Sequence, residues 1–456
     1  MLSFFSREDA LFCIEKLPKA TLDKSAISFY NSPKHYSEEL FKQIAQAKTR
    51  IYLVALYFEN DEAGQKVIDA LYQAKKNQPQ LEVKIFVDWH RAQRGRIGES
   101  ETLTNADWYS KIRDKMTPLN IEFYGVPINT REALGVLHFK GAVFDDNILF
   151  TGASINNVYL HHLDKYRFDR YHLIKSKNLS DSFVCFIEKK LLPEIAVKRL
   201  DSLVRPKTQE FKKSIKQLRK KLMDAAFELE GETDSDASII DPITVTPIVG
   251  LGNKNAFNKL IGQLLIVAEK DIVICTPYFN LPTLITKILR QMLKKGVKVK
   301  IVIGDKTAND FYIPETEPFR AIGGLPYLYE LNLKKFMKSN QKFIDKDLLS
   351  INLWKDGDNT YHLKGVWIDE EWMLITGNNL NPRAWRLDLE NGLLIRDKEK
   401  FLIEKKHQEL SNILTNTTQV AHHSNLDTID NYPLKVKKLI RRVKRLRLDK
   451  IINRIL

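Results

Sequence analysis

Cysteine is scarce in this chain of 456 residues: Cys13, Cys185 and Cys275 are odd in number and widely spaced. That excludes a disulfide framework and a zinc-ligand pattern, and it fits buried, reduced thiols in a cytosol. Long apolar runs are missing too. No stretch approaches the roughly eighteen apolar residues of a membrane span, and the opening MLSFFSREDA lacks a basic segment followed by an apolar one. The expectation is a protein that is neither exported nor membrane-spanning. With 43% hydrophobic residues, the chain can bury two ordinary cores or one duplicated core, so disorder is not expected.

What the chain does contain, it contains twice. His138, Lys140 and Asp145 stand in LHFKGAVFDD, and His362, Lys364 and Asp369 stand in YHLKGVWIDE. Each copy runs along an alternating apolar stretch, which puts His and Lys on one face of an extended segment. After each Asp come a short apolar strand and a turn, with Asn156 four residues after Gly152 and Asn381 four after Gly377. A single triplet reads equally well as a core histidine beside a solvated lysine. Two triplets with the same sequel do not.

Paired imidazoles and ammonium groups suit chemistry at phosphorus. Two lysines give phosphate oxygens fixed positive charge without a metal or other cofactor. Of two histidines flanking one phosphorus, one attacks while the other protonates the leaving oxygen, so the pair titrates as a unit. Each ring needs a carboxylate to hold its tautomer. Asp169 in DRYHLI and Glu390 in ENGLLI recur at matching places beyond their respective histidines, each opening a short strand.

This duplicated pattern resembles that of the phospholipase D superfamily. The resemblance implies an α/β fold of two pseudo-twofold related domains, each a mostly parallel or mixed sheet flanked by helices, meeting at one active site. It also implies a covalent phosphohistidine. Carried over, His138 attacks, His362 is acid and then base, Asp145 and Asp369 complete the catalytic motifs, and Lys140, Lys364, Asn156 and Asn381 cradle the phosphate. Where the family often has Ser after the motif's Gly, this chain has Ala153 and Asn378.

The halves also repeat in element order. A helix at Ser37–Ala47, the strand TRIYLVALYF, a helix near 63–76 and LEVKIFVDW are matched by a helix at 255–268, KDIVICTPYF, a helix at 282–295 and VKVKIVIGD. Such spacing predicts parallel strands covered by helices, with ligands at the strands' carboxyl ends. Polar segments fall there. DWHRAQRGRIG sets His90, Arg91, Arg94 and Arg96 where a nucleotide phosphate would lie, and GDKTANDFYIP sets Lys306 and Asn309 in a like position. DKYRFDRYHLI, from Asp164 to Ile174, either binds a polar acceptor or braces the site. Residues 207–229 read as a basic helix packed between the halves, GETDSDAS as a solvated linker, and 325–354 as helical. The divisions drawn are 1–200, 201–247, 248–420 and 421–456.

Residues 435–456 hold ten Lys or Arg and one Asp, so most of the net charge of +15 sits in the tail. Val436, Leu439, Ile440 and Val443, then Leu448, Ile451, Ile452 and Ile455, keep helical spacing. Between them lie Lys437, Lys438, Arg441, Arg442, Lys444, Arg445 and Arg447. A basic amphipathic helix of this kind is expected to lie on an anionic membrane surface. Its large aliphatic residues argue against nucleic acid as the partner.

The segments DWHRAQRGRIG, DKYRFDRYHLI, ITGNNLNPRAWRLDLEN and YPLKVKKLIRR narrow the resemblance to a bacterial branch of the superfamily. What that branch implies is a cytoplasmic, peripheral enzyme, possible as an oligomer, that moves a phosphatidyl group from CDP-diacylglycerol to L-serine. A cardiolipin synthase, a phospholipase D and a nuclease share the motifs and are the rival readings.

Overall fold

Residues 6–95, 103–229 and 243–455 are described by the computed structural model of the chain. GETDSDAS lies outside them.

Two mixed sheets repeat one plan. In the first, Arg50–Val54, Glu82–Asp88 and Glu122–Val126 pair in parallel. On the far side of Arg50–Val54 the antiparallel strands Gly141–Phe144, Asn147–Thr151, Tyr171–Lys175 and Ile27–Tyr30 follow. In the second, Asp271–Thr276, Lys298–Gly304 and Leu349–Trp354 form the parallel core. Gly365–Ile368, Trp372–Thr376, Glu390–Arg396 and Ile243–Gly250 extend it antiparallel. Near its start the chain crosses to the other half: Ala20–Leu22 pairs with Ile243–Gly250 and joins the second sheet.

The parallel strands are runs of β-branched and aromatic residues buried on both faces, which is what a sheet covered by helices on two sides requires. Asp61 caps the helix Glu62–Asn77 through the Gly64 amide, and that helix returns the chain from the first parallel strand to the second. Thr283–Lys294 does the same in the second half, burying Ile285, Ile288, Leu289, Met292 and Leu293.

Three local expectations are corrected. The helix predicted from Ser37 starts at Pro33 with Ser32 as its cap; proline suits that first turn because its missing N–H would have no helical partner. The extra turn lets Tyr36 stack on Tyr171, ring centroids 4.6 Å apart. Residues 325–354 are not helical throughout. The helix Leu325–Ile344 ends, the chain reverses through Asp347 at φ 54°, and Leu349–Trp354 is a strand. The tail is two helices, Leu434–Arg445 and Leu448–Ile455, and Arg447 takes φ 53° between them. The first turns of its apolar stripe are occupied by the protein itself, since Val436 and Ile440 are buried with Tyr327, Leu328 and Tyr432. Lys438, Arg441, Arg442, Lys444, Arg445 and Arg447 stay exposed, while Lys437 donates to the Asp430 carbonyl at 2.7 Å.

The helix Lys212–Met223 buries Ile215, Leu218 and Leu222. Its Arg219 reaches the carbonyls of Ile128 at 3.4 Å and Leu387 at 3.0 Å, one in each half. No helix among the described residues is long and apolar enough to cross a membrane.

Candidate active site

Each histidine is delivered by an extended segment that pairs with the other half. The His138 amide donates to the Leu389 carbonyl at 3.0 Å, and the Leu389 amide to Val136 at 3.1 Å. In the mirror position Thr360–Tyr361 pairs with Arg167–Phe168, and the His362 amide donates to Phe168 at 2.9 Å. One residue past each of these bonds stands a carboxylate. Glu390 Oε2 is 2.9 Å from His138 Nδ1, and Asp169 Oδ2 is 3.5 Å from His362 Nδ1. The carboxylates are therefore exchanged: each contacts the histidine of the opposite half, not its own.

His138 and His362 open onto one cleft of about 1130 Å³, together with Lys140, Asn156 and Asn381. Lys364, fully buried, stands behind His362, touches its Nδ1 and donates to Asp169 at 3.0 Å. Lys140 donates to Ser154 Oγ at 3.0 Å. The hydroxyl missing at Ala153 is thus supplied one residue later. Asn378 instead holds its turn, with its amide on Thr376 Oγ1 and its Oδ1 accepting from Leu380. Both motif glycines leave room for the other half: a Cβ on Gly152 would lie 3.0 Å from Lys364 Nζ, and one on Gly377 would lie 2.9 Å from Lys140 Cγ.

Electrostatics follow from burial. Desolvation, reinforced by Lys140 and Lys364, holds His138 well below the usual imidazole range. Desolvation and Lys364 do the same to His362. Burial also pushes Glu390 well above the carboxylate range, against the pull of Lys140 and Lys364. Nδ1 of His138 is engaged by Glu390, and Nε2 has no protein partner among the described residues. Burial and the neighbouring Lys364 bring Lys140 down to about 7. Two lysines and two imidazoles around one cleft fit a phosphate whose charge grows during reaction.

Asp145 and Asp369 are not in the cleft. Each sits at the far end of its motif strand, with φ 52°. Asp145 accepts from the amides of Lys48, Thr49 and Arg50 at 2.8–3.1 Å, and Asp369 from Glu269, Lys270 and Asp271 at 2.6–2.8 Å. Five extended residues carry them up to about 16 Å from the lysines. These carboxylates knot the hairpin to the entrance of the first parallel strand.

The basic segments divide. Arg91 and Arg94 line the cleft, Arg91 4.8 Å from the Tyr57 ring and Arg94 in a fork with Glu132 at 2.6 Å. His90 turns away to the Asn129 carbonyl at 2.8 Å, and Arg96 lies outside the described residues. Lys306 is held by Glu330 at 2.9 Å and by Asp427. Asn309 accepts from the Phe311 amide, so neither reaches the cleft. Their neighbour Asp310 does. Sequence reading missed Tyr159, whose hydroxyl is 2.9 Å from His362 Nδ1. It also missed Tyr278, whose ring stands 5.9 Å from that of His362. Only Tyr278 had a signal, the Tyr-Phe pair that ends matching strands in both halves.

The profile of the family described as "Cardiolipin synthase, PLD-like domain" matches residues 40–182 and 261–414. The CDP-diacylglycerol–serine O-phosphatidyltransferase of Escherichia coli is 50% identical over 456 residues, covering 100% of both chains. That of Haemophilus influenzae is 45% identical over 97% of each chain. The crystal structure of phosphatidylserine synthase from Haemophilus influenzae superposes with a TM-score of 0.94 at 44% identity, covering 99% of this chain and 100% of the other. Two motif copies facing one cleft, on a fold shared over full length with these proteins, place this chain in the phospholipase D-like family.

Proposed function

We propose that the chain transfers the phosphatidyl group of CDP-diacylglycerol to L-serine, giving phosphatidylserine and CMP. The observation that carries this reading is the single cleft shared by two imidazoles, each bound at Nδ1 by the other half's carboxylate. Full-length identity of 50% to a relative bearing that activity supports the choice of substrates.

His138 is the nucleophile in this scheme, since its tighter carboxylate contact fixes the tautomer that presents a lone pair at Nε2. Nε2 attacks phosphorus, the bond to the CMP oxygen breaks, and His362, which holds a proton once the phosphate charge is bound beside it, gives that proton to the departing oxygen. In the second step His362, left neutral by that transfer, takes the proton of the serine hydroxyl as it attacks phosphorus and frees His138. Lys140 and Lys364 carry the phosphate charge, with Asn156 and Asn381 at its edge, and Arg91 and Arg94 face the nucleotide. The division at 1–200, 201–247, 248–420 and 421–456 belongs to the same reading, as does the tail's exposed basic face lying on the anionic inner surface of the membrane.

Purified protein given CDP-diacylglycerol with serine, glycerol phosphate or water, and the lipid products identified, tests the reaction. Phosphatidylserine should dominate; phosphatidic acid or phosphatidylglycerol phosphate as main product overturns it. His138→Ala should lose both serine transfer and exchange of labelled CMP into CDP-diacylglycerol, and His362→Ala should accumulate an acid-labile lipid adduct.

A further inference from the structure

Among the charged pairs that line the cleft, Asp310 with Arg167 stands beside His362 and has no part in the mechanism. Asp310 follows the strand Lys298–Gly304, and its Oδ2 lies 3.5 Å from a terminal nitrogen of Arg167. The other oxygen accepts from the Tyr278 hydroxyl. Both side chains keep a small exposed fraction, 17% for Arg167 and 15% for Asp310, and both line the cleft beside His362. The pair adjoins the ring chemically as well. Arg167 sits 5.1 Å from the Tyr159 ring, Tyr159 touches His362 Nδ1, and Tyr278 meets the His362 ring edge-on.

Neither charge is saturated. Arg167 gives Nε–H to Thr360 Oγ1 at 3.1 Å and makes one long contact to Asp310, out of five possible donors. A carboxylate that accepts from one phenol and faces one arginine at 3.5 Å retains lone pairs for a third donor. Opposite charges this close, opening on the ring that must deprotonate the acceptor, form a template for a zwitterion. A polyol offers it no charge, and a phosphate monoester offers only one sign.

Resting on the phosphatidyl-transfer reading, we propose that Asp310 and Arg167 form the acceptor subsite and select an α-amino acid. Asp310 takes its ammonium and Arg167 its carboxylate, which sets the side-chain hydroxyl toward His362. Burial works against the Asp310 charge, but Arg167 and His362 hold its carboxyl below the usual range, so it is ionised when the acceptor arrives. Selectivity then comes from leaving buried charges unpaired when the wrong acceptor enters, which discriminates more strongly than apolar shape.

The test compares acceptors on intact protein. Wild type, Asp310→Asn and Arg167→Gln are given CDP-diacylglycerol with serine, with serinol, which lacks the carboxylate, or with 3-hydroxypropionate, which lacks the ammonium. CMP exchange is measured in parallel as a reaction without acceptor. Asp310→Asn should raise KM for serine about tenfold or more and lower the ratio of serine transfer to exchange, with much less effect on 3-hydroxypropionate. Arg167→Gln should cost serine similarly and serinol little. A variant in which exchange falls as far as serine transfer, or truncated acceptors lose as much as serine, assigns the pair a bracing role and overturns the proposal. If Asp310→Asn does not fold, the serine-to-serinol comparison on Arg167→Gln decides alone. Failure of the underlying reaction would show separately, as wild type that neither exchanges CMP nor makes phosphatidylserine.

Discussion

Glu390 lies 2.9 Å from Nδ1 of His138, although the two belong to different halves of the chain. The reciprocal contact, Asp169 to His362, is longer at 3.5 Å and shared with Lys364 and Tyr159. Neither half holds both a histidine and the carboxylate that contacts it. Glu390→Gln should therefore impair the first-half histidine: CMP exchange and serine transfer both fall, about a hundredfold or more. Asp169→Asn should slow serine transfer more than exchange. Rapid-quench measurement of CMP release separates the two steps, and the opposite pattern would return each carboxylate to its own half's histidine.

The pH profile should carry the mark of Lys140. Burial and Lys364 bring its ammonium down to about 7, and the protonated form is the one that binds phosphate. Raising pH through 7 removes that proton in free enzyme, so kcat/KM for CDP-diacylglycerol should fall on the alkaline side from about there. Burial, Lys140 and Lys364 hold the nucleophile His138 well below the usual imidazole range, so the acid limb, where that ring takes up a proton, should lie below 6.5. Bound phosphate stabilises the ammonium, which moves the alkaline limb of kcat upward. Lys140→Arg keeps its charge at all these pH values, and its kcat/KM profile should lose the limb near 7. An unchanged limb would assign it to another group.

Asp145 should matter to the fold and not to the chemistry. Its carboxylate accepts from three consecutive backbone amides and the Thr49 hydroxyl. Asp145→Ala leaves those donors to find water, at a cost of about 1–3 kcal/mol. Burial opposes the charge, but the Thr49 hydroxyl and amides hold its pKa below the ordinary value. The stabilisation is therefore complete above the ordinary Asp range and disappears as pH falls through the lowered one. Thermal unfolding of Asp145→Ala should show a lower midpoint at pH 7 and a difference that shrinks in acid. Activity per folded molecule should stay close to wild type; its collapse would return Asp145 to the chemistry.

The paired motifs were legible because duplication multiplies a weak local signal, and the parallel strands because their β-branched runs leave few alternatives. The exchange of carboxylates was not legible. Spacing along the chain says how far Glu390 is from His362 and nothing about which ladder Leu389 will join, and the bonds of Leu389 to Val136 and His138 span the two halves. Lys306 misled for a related reason. A lysine after a strand looks like a phosphate ligand until Glu330 and Asp427, distant in sequence, neutralise it. Asp145 looked catalytic because it recurs with His and Lys. In both halves that position holds the motif hairpin to three consecutive backbone amides.

The tail separates two roles that sequence pattern alone had merged. Val436 and Ile440 are buried against Tyr327, Leu328 and Tyr432, so Ile440→Ala should lower stability by about 2–4 kcal/mol whether or not a membrane is present. Lys438, Arg442 and Arg445 are exposed, and reversing them to Glu should leave the unfolding midpoint close to wild type. Each basic group near an anionic surface is worth about 1 kcal/mol, and reversal converts attraction into repulsion. Sedimentation with phosphatidylglycerol vesicles should therefore show binding lost in the triple variant by several orders of magnitude at low salt, with the gap closing as salt screens both forms. Turnover on detergent-dispersed substrate should change little. Equal vesicle binding by variant and wild type would mean that the exposed charges do not face lipid, leaving Leu434, Leu446 and Leu448, exposed at 65%, 54% and 40%, as the groups to remove next.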